Sequence, residues 1–298
     1  MRKFGIEIEV NAFDRRDFKE NQLQRGERPE GIKYIYEKLC GLGLSVKLED
    51  WHNTHNNQQW VCKPDASCGI EICSPVSENF LEIHKVIDFL SKDKNIKIDE
   101  RCSFHVHVDI SDLSENELVS VLSWWIKFEH LFFDAMPDCR KMNKYCQCIG
   151  IIDLFQHDEI VDNKIINKLG ATKYLSCNTF HFCKKNRKTI EFRIADHFAC
   201  LDQNYATNWV LLLTNFISIF SQKEIPKSLC WENPSLFLDF LSNIDIELRN
   251  WFFYRVKKNI NSKIQNWDSE FRNIVKLEFN NIFKSLQLDK YCIDNEFC

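Results

Sequence analysis

An α+β fold is predicted from three observations. Runs of period-two hydrophobicity carrying acids and histidines fall between residues 1 and 196, long amphipathic helices require an apolar sheet face to cover, and residues 202 to 290 read as almost wholly helical. At 298 residues the chain can bury a sizeable core. The division places a catalytic sheet core with covering helices at residues 1–200 and a helical region packed on the same domain at 201–298. With 8 Gly and 6 Pro, no flexible linker separates them.

Strands are predicted at Lys3 to Val10, Gln59 to Cys62, Gly69 to Cys73, Cys102 to Ile110, Tyr174 to Phe182 and Lys188 to Ala195, each alternating apolar and polar residues. The clearest helix runs from Ser114 to Phe133. Ser114 and Glu117 stand in capping-box spacing, and Leu118, Val121, Leu122, Trp125, Phe128 and Phe132 form one stripe. A second runs from Asp202, a capping residue, to Phe220, with Ala206, Trp209, Val210, Leu213, Ile217 and Phe220 on its apolar face. Further helices are expected over Gly31–Cys40, Glu78–Ser91, Ser235–Leu241 and Ser269–Leu286. The segment Arg15–Arg28, dense in charge, reads as a loop, as does the stretch holding His52 and His55. Trp124, Trp125, Trp209 and Trp251 sit in helical patterns and read as core or interface anchors.

Composition narrows the function. A formal net charge of -4 gives no basic excess, which argues against nucleic acid as a partner. The longest apolar stretches, such as Trp209 to Phe220, fall short of the roughly 20 residues a membrane span requires. The expected setting is therefore the cytoplasm, away from the membrane. Fourteen cysteines include no Cys-x-x-Cys pair, and most read as buried, reduced thiols.

The chemistry lies on the strands. In Gly5-Ile6-Glu7-Ile8-Glu9-Val10 alternation puts Glu7 and Glu9 on one face, about 7 Å apart at roughly 3.3 Å per residue. Two such carboxylates repel unless a cation joins them, and oxygen ligands suit magnesium or manganese. Taken alone, this strand reads more readily as a solvent-facing one with two incidental glutamates. In Cys102-Ser103-Phe104-His105-Val106-His107-Val108-Asp109 the polar face holds Ser103, His105, His107 and Asp109, and its two histidines and one acid are metal-ligand types at ligand spacing. In Thr189-Ile190-Glu191-Phe192-Arg193-Ile194, Glu191 and Arg193 share a face. A fourth segment sets Asp65 and Ser67 in a turn before Glu71; the same pair also reads as ordinary turn hydrogen bonding. Acids, histidines and an arginine in tight groups on three strands favour a site over a solvated surface.

With these segments in hand, the chain resembles the amidoligase family, which belongs with glutamine synthetase and glutamate-cysteine ligase among carboxylate-amine ligases. The similar pieces are Phe4-Gly5-Ile6-Glu7-Ile8-Glu9, Trp60 with Asp65-Ala66-Ser67 and Gly69-Ile70-Glu71 to Ser74-Pro75, Phe104-His105-Val106-His107-Val108-Asp109, and Lys173-Tyr174 with Asn178 leading to Thr189-Ile190-Glu191-Phe192-Arg193. The resemblance implies an antiparallel sheet of about six strands curved into a half-funnel, helices on one face, and ATP with Mg2+ or Mn2+ as cofactors. Carried over by position, Glu7, Glu9, Glu71, His105 and Glu191 hold metal, and His107 lies near the nucleotide phosphates. Ser67, Lys173, Tyr174 and Asn178 belong to nucleotide or substrate binding. Arg193 contacts the transferring phosphoryl group, and Asp65 is the candidate base. The implied substrate is an amino acid, or a peptide or protein side chain.

Two positions depart from the family. Cys68-Gly69 stands where related ligases carry a further acid, and Lys173 stands where arginine is common. Two other functions compete: a metal-dependent hydrolase using His105 and His107 as a zinc pair, with His181 or His197 as a third ligand, and a binding module of the same fold without turnover. Cysteine nucleophile chemistry finds no grouping of Cys, His and acid.

Overall fold

The computed structural model describes residues 1–13, 29–50, 58–141, 143–149, 164–227, 229 and 234–264, together with 280 and 284. The expectations for Arg15–Arg28, for His52 and His55, and for nearly all of Ser269–Leu286 lie outside the described residues. In chain order the elements are β1 (Phe4–Ala12), α1 (Glu30–Gly41), β2 (Val46–Leu48), β3 (Trp60–Asp65), β4 (Gly69–Cys73), α2 (Leu81–Lys92), β5 (Ile96–Lys97), β6 (Ser103–Asp109), α3 (Glu115–Asp134), α4 (Asp138–Lys141) and α5 (Lys164–Leu169). There follow β7 (Cys177–Asn178), α6 (Phe180–Lys185), β8 (Thr189–Asp196), a 3-10 turn (His197–Cys200), α7 (Gln203–Phe220), α8 (Pro234–Ser242) and α9 (Ile246–Ile264).

The α+β class holds, and the sheet is larger and more mixed than expected. Its order is β2-β3-β4-β1-β6-β8-β7, with β5 paired to β1. Among the described residues eight strands stand where about six were expected, and β2 runs parallel to β3 while the other pairs are antiparallel. Strands of two or three residues, such as β5 and β2, are too short for a period of two to show.

The predicted strand over Tyr174–Phe182 is corrected. Only Cys177 and Asn178 pair with β8, and the chain turns at once into α6. The Asn178 side chain accepts the backbone N–H of Phe180 at 3.1 Å, a local hydrogen bond that competes with strand continuation.

The two long helices form as their caps and stripes predict. Ser114 donates its N–H to Glu117 Oε2 at 2.7 Å and accepts the Glu117 N–H, closing a capping box on α3. Asp202 accepts the Tyr205 N–H at 2.9 Å and caps α7. Trp125 of α3 stacks on Phe132 at 4.4 Å and meets Phe192 of β8 edge-on at 4.8 Å and Phe216 of α7 at 5.6 Å. Helices α3 and α7 thus cover the apolar face of the central strands. Burial of each such side chain contributes about 1.5–3 kcal/mol. Trp209 is also fully buried, while Trp124 and Trp251 pack at the margin.

The described helices after residue 201 join the same core. Arg255 of α9 donates to Asp196 at 2.7 Å and to the Tyr205 hydroxyl at 2.9 Å, and Asn259 donates to the Ala135 carbonyl at 2.7 Å. Among the described residues no helix is long and apolar enough to cross a membrane. Among the described residues no cysteine forms a disulfide, and eight of the thiols are buried.

One glycine is required where the site is built. Gly69 closes the β3–β4 hairpin at φ +105°, and a Cβ there would lie 2.2 Å from Asn11 Oδ1. Any residue with a Cβ would be strained there, so Gly69 sets the position of Asp65 before it and Glu71 after it.

Candidate functional site

Register assembles the site. Glu9 stands opposite Glu71, which in turn faces Lys63; Glu7 stands opposite Cys73 on one side and His105 on the other; His107 pairs with Glu191, which pairs with Asn178. Directly opposed residues carry Cβ atoms about 4.5–5.5 Å apart. Because alternate residues share a face, these rows lie side by side over β3, β4, β1, β6, β8 and β7. The apolar residues between them point to the helices, and the acids, histidines and arginine share the opposite face. It is more enclosed than a solvated sheet surface: Glu9, Glu71, His105, Asn178, Glu191 and Arg193 are all buried.

At the centre are Glu7, His105 and Glu191. His105 Nδ1 lies 3.1 Å from Glu7 Oε2 and 3.8 Å from Glu191 Oε1, and the three residues offer ligand atoms within 4.8 Å of one another. Ser103 Oγ, 2.7 Å from His105 Nε2, can hold a proton on that nitrogen and leave the Nδ1 lone pair facing the two carboxylates. Ser103 also donates to Glu9, whose other oxygen is 3.8 Å from His105 Nε2. A second group joins Glu7, Glu71 and Cys73, and a third joins Glu9, Asp65 and Cys68, each within the same span. The five predicted metal ligands are therefore contiguous, with Glu9 and Glu71 in groups beside the central three.

Electrostatics separates their protonation states. Burial opposes ionisation of Glu7, yet His107 and His105 hold its carboxyl well below the usual range. Glu191 is likewise held low against burial, chiefly by Arg193, with His181 and His107 adding to it. Burial, together with Asp65, pushes Glu9 up to about 8. Glu71 is raised by burial and by Glu7, against the pull of Lys63 at 2.6 Å. Burial and the neighbouring Arg193 lower His105 to about 4, so its imidazole is neutral and able to ligate. His107 moves the other way: burial is outweighed by Glu7, and its pKa rises.

The remaining predicted residues divide. Arg193 reaches the cluster, pairing through Nη1 with Glu191 and donating through Nε to the Tyr145 carbonyl at 3.0 Å. Asn178 donates to Glu191 Oε2 at 3.2 Å and to the Lys173 carbonyl at 3.1 Å. The side chains of Lys173 and Tyr174 are exposed, with the Lys173 ammonium 5.5 Å from the Tyr174 ring. Asp65 is occupied by the turn, its Oδ1 accepting from Ser67 N at 2.7 Å, Cys68 N at 3.2 Å and the Ser67 hydroxyl. Those bonds outweigh burial and lower its pKa, which makes it a weak proton acceptor. His197, offered as a ligand for the hydrolase reading, falls in none of the clusters among the described residues.

Residues that sequence reasoning did not assign to the ligase site are Lys63, Cys73, Ser103 and His181, the last offered only as a third ligand for the hydrolase reading. Lys63 was legible once the hairpin was placed, because it faces Glu71 across it. His181 Nε2 lies 3.5 Å from Glu191 Oε2, from a helix where a strand was expected.

Beside the cluster opens a cavity of about 400 Å³ lined by Glu7, His107, Lys3, Arg187 and Lys188 among others. A family profile described as "Putative amidoligase enzyme" matches residues 1–216. The chain belongs to the amidoligase family. The matched amidoligase region contains every strand of the sheet and α7 as far as Phe216, whereas α8 and α9 lie beyond it. No curated protein matches the chain. A bifunctional glutathione synthetase from Pasteurella multocida aligns over 98% of this chain and 50% of its own length, at 10% identity and a TM-score of 0.41. The amidoligase chain thus spans half the length of that enzyme.

Proposed function

We propose that this amidoligase-family chain is an ATP-dependent carboxylate-amine ligase that forms an amide or isopeptide bond on an amino acid or peptide. One observation carries the reading: Glu7, His105 and Glu191 offer ligand atoms within 4.8 Å of one another on a buried sheet face that opens to a cavity. The donor set fits a divalent cation. Two carboxylates held ionised and one neutral imidazole match magnesium or manganese, and the mutual repulsion of the buried Glu9 and Glu71 and the half-buried Asp65 is what a cation would relieve. A cation bound there supplies charge neutralisation for phosphate oxygens.

The chain's own residues do the rest by position. Lys3, Arg187 and Lys188 give the cavity a cationic rim for an anionic group. Arg193, fixed by Glu191 and the Tyr145 carbonyl, faces the cluster where charge develops on a transferred phosphoryl group. Phosphoryl transfer to a carboxylate yields an acyl phosphate and ADP, and amine attack then releases phosphate. Burial excludes water, which would otherwise hydrolyse the acyl phosphate. The lowered pKa of Asp65 assigns it to the hairpin turn and leaves the base for amine attack elsewhere. A sheet curved as a half-funnel and a reducing, cytoplasmic setting belong to the same proposal.

The test is Glu7→Gln and Glu191→Gln, each assayed for amine-dependent ADP release. Loss of at least a hundredfold in both, with the fold intact, is expected. Full activity in both overturns the assignment.

A further inference from the structure

Glu7 and Glu191 each turn one oxygen to either side of the cluster. Glu7 presents Oε2 to His105 Nδ1 and Oε1 to His107 Nε2, both at 3.1 Å. Glu191 presents Oε1 to His105 at 3.8 Å and Oε2 to His181 Nε2 at 3.5 Å. The two carboxylates therefore bridge a histidine on one side and a pair of histidines on the other. That pair is closely set, with imidazole centroids 5.1 Å apart and the rings edge to face.

Two observations mark this side as more than spare polar surface. His107, His181 and Glu191 offer ligand atoms within 4.8 Å of one another. Ligands on a cation at about 2.1 Å stand roughly 3–4.2 Å apart, so small side-chain shifts would suffice. Second, the imidazoles are poorly satisfied. His107 Nε2 is buried and meets only the Glu7 carboxylate, at 3.1 Å, and His181, whose Nε2 faces Glu191 at 3.5 Å, leaves its Nδ1 buried without a hydrogen bond. Buried polar atoms are ordinarily paired, and an imidazole nitrogen that meets only a carboxylate oxygen needs a proton or a cation between the two.

From this geometry we infer that His107, His181 and Glu191 form a second cation site, joined to the Glu7–His105–Glu191 site through its carboxylates and selective for a first-row transition ion such as manganese over magnesium. The inference rests on the ligase reading for the first site and goes beyond it for the second. Selectivity follows from ligand type. Magnesium prefers oxygen and sheds water reluctantly, whereas imidazole suits transition ions, and this site offers two imidazoles where its neighbour offers one. A cation here takes the place of the proton that Glu7 favours on His107.

The experiment uses the full chain, stripped with chelator and titrated with Mn2+ alone, with bound ion read from loss of the free Mn2+ paramagnetic resonance signal. Wild type is expected to bind two equivalents, one of which survives a large excess of Mg2+. His181→Gln is expected to bind one, displaced by the same Mg2+, with affinity at the lost site down by tenfold or more. His107→Asn should behave alike and stands in if His181→Gln fails to fold. Two retained equivalents in the histidine variants overturn the inference. One equivalent in wild type, unchanged in the variants, overturns it while leaving the ligase site standing. No binding by wild type removes both.

Discussion

Replacing Glu9 with Gln separates the cost of an empty acidic cluster from its use. Burial and Asp65 raise the Glu9 carboxyl from the ordinary 4.5 to about 8, so the folded state holds this proton more tightly than the unfolded chain does. The stabilisation is complete below pH 4.5 and drains away as pH rises toward 8. Across that interval, at about 1.4 kcal/mol per pH unit, wild type loses at most about 5 kcal/mol through this one group. Gln is neutral throughout and does not incur the loss, although a weakened bond to Ser103 costs about 1 kcal/mol. Without metal, the variant should be equal to or about 1 kcal/mol below wild type at pH 4.5 and several kcal/mol more stable at pH 8. Chemical denaturation at both pH values, in chelator, gives the comparison. Saturating Mn2+ should then narrow the gap at pH 8, because the cation stabilises the ionised Glu9 that only wild type has. A stability difference that does not change between the two pH values would refute the argument.

Three further substitutions test the frame around the site. Gly69→Ala forces a left-handed φ of +105° and a Cβ against Asn11, and should cost about 1–3 kcal/mol in denaturant unfolding while lowering Mn2+ affinity through Asp65 and Glu71. Ser114→Ala removes the capping box of α3 and should lower stability by about 0.5–2 kcal/mol with Mn2+ binding unchanged. Asp196→Ala leaves the Arg255 guanidinium buried without its carboxylate, and about 3–5 kcal/mol should be lost in thermal or chemical melts.

The strands β1, β4, β6 and β8 were legible because each alternates strictly over five residues or more, and alternation is a local property. The pairing of Glu7 with His105 and of His107 with Glu191 was not legible, since register depends on turns and on the bulge between β6 and β8. His181 shows the physics most clearly. On an unbroken strand it would face away from Asn178, three residues earlier, and away from Glu191. The break at Asn178 and the turn into α6 bring it back. Asn178 and Thr179, both good helix-initiating residues, were the available signal. Asp65 failed in the opposite sense, because its turn hydrogen bonds, visible in the spacing to Ser67, lower the basicity that the expected role required.

The central claim is that one sheet face grips a cation, and crystals soaked with Mn2+ and read by anomalous diffraction test it directly. A peak bounded by the side chains of Glu7, His105 and Glu191 is predicted. Well-ordered crystals with saturating Mn2+ bound only elsewhere, and no density among those three residues, would contradict it.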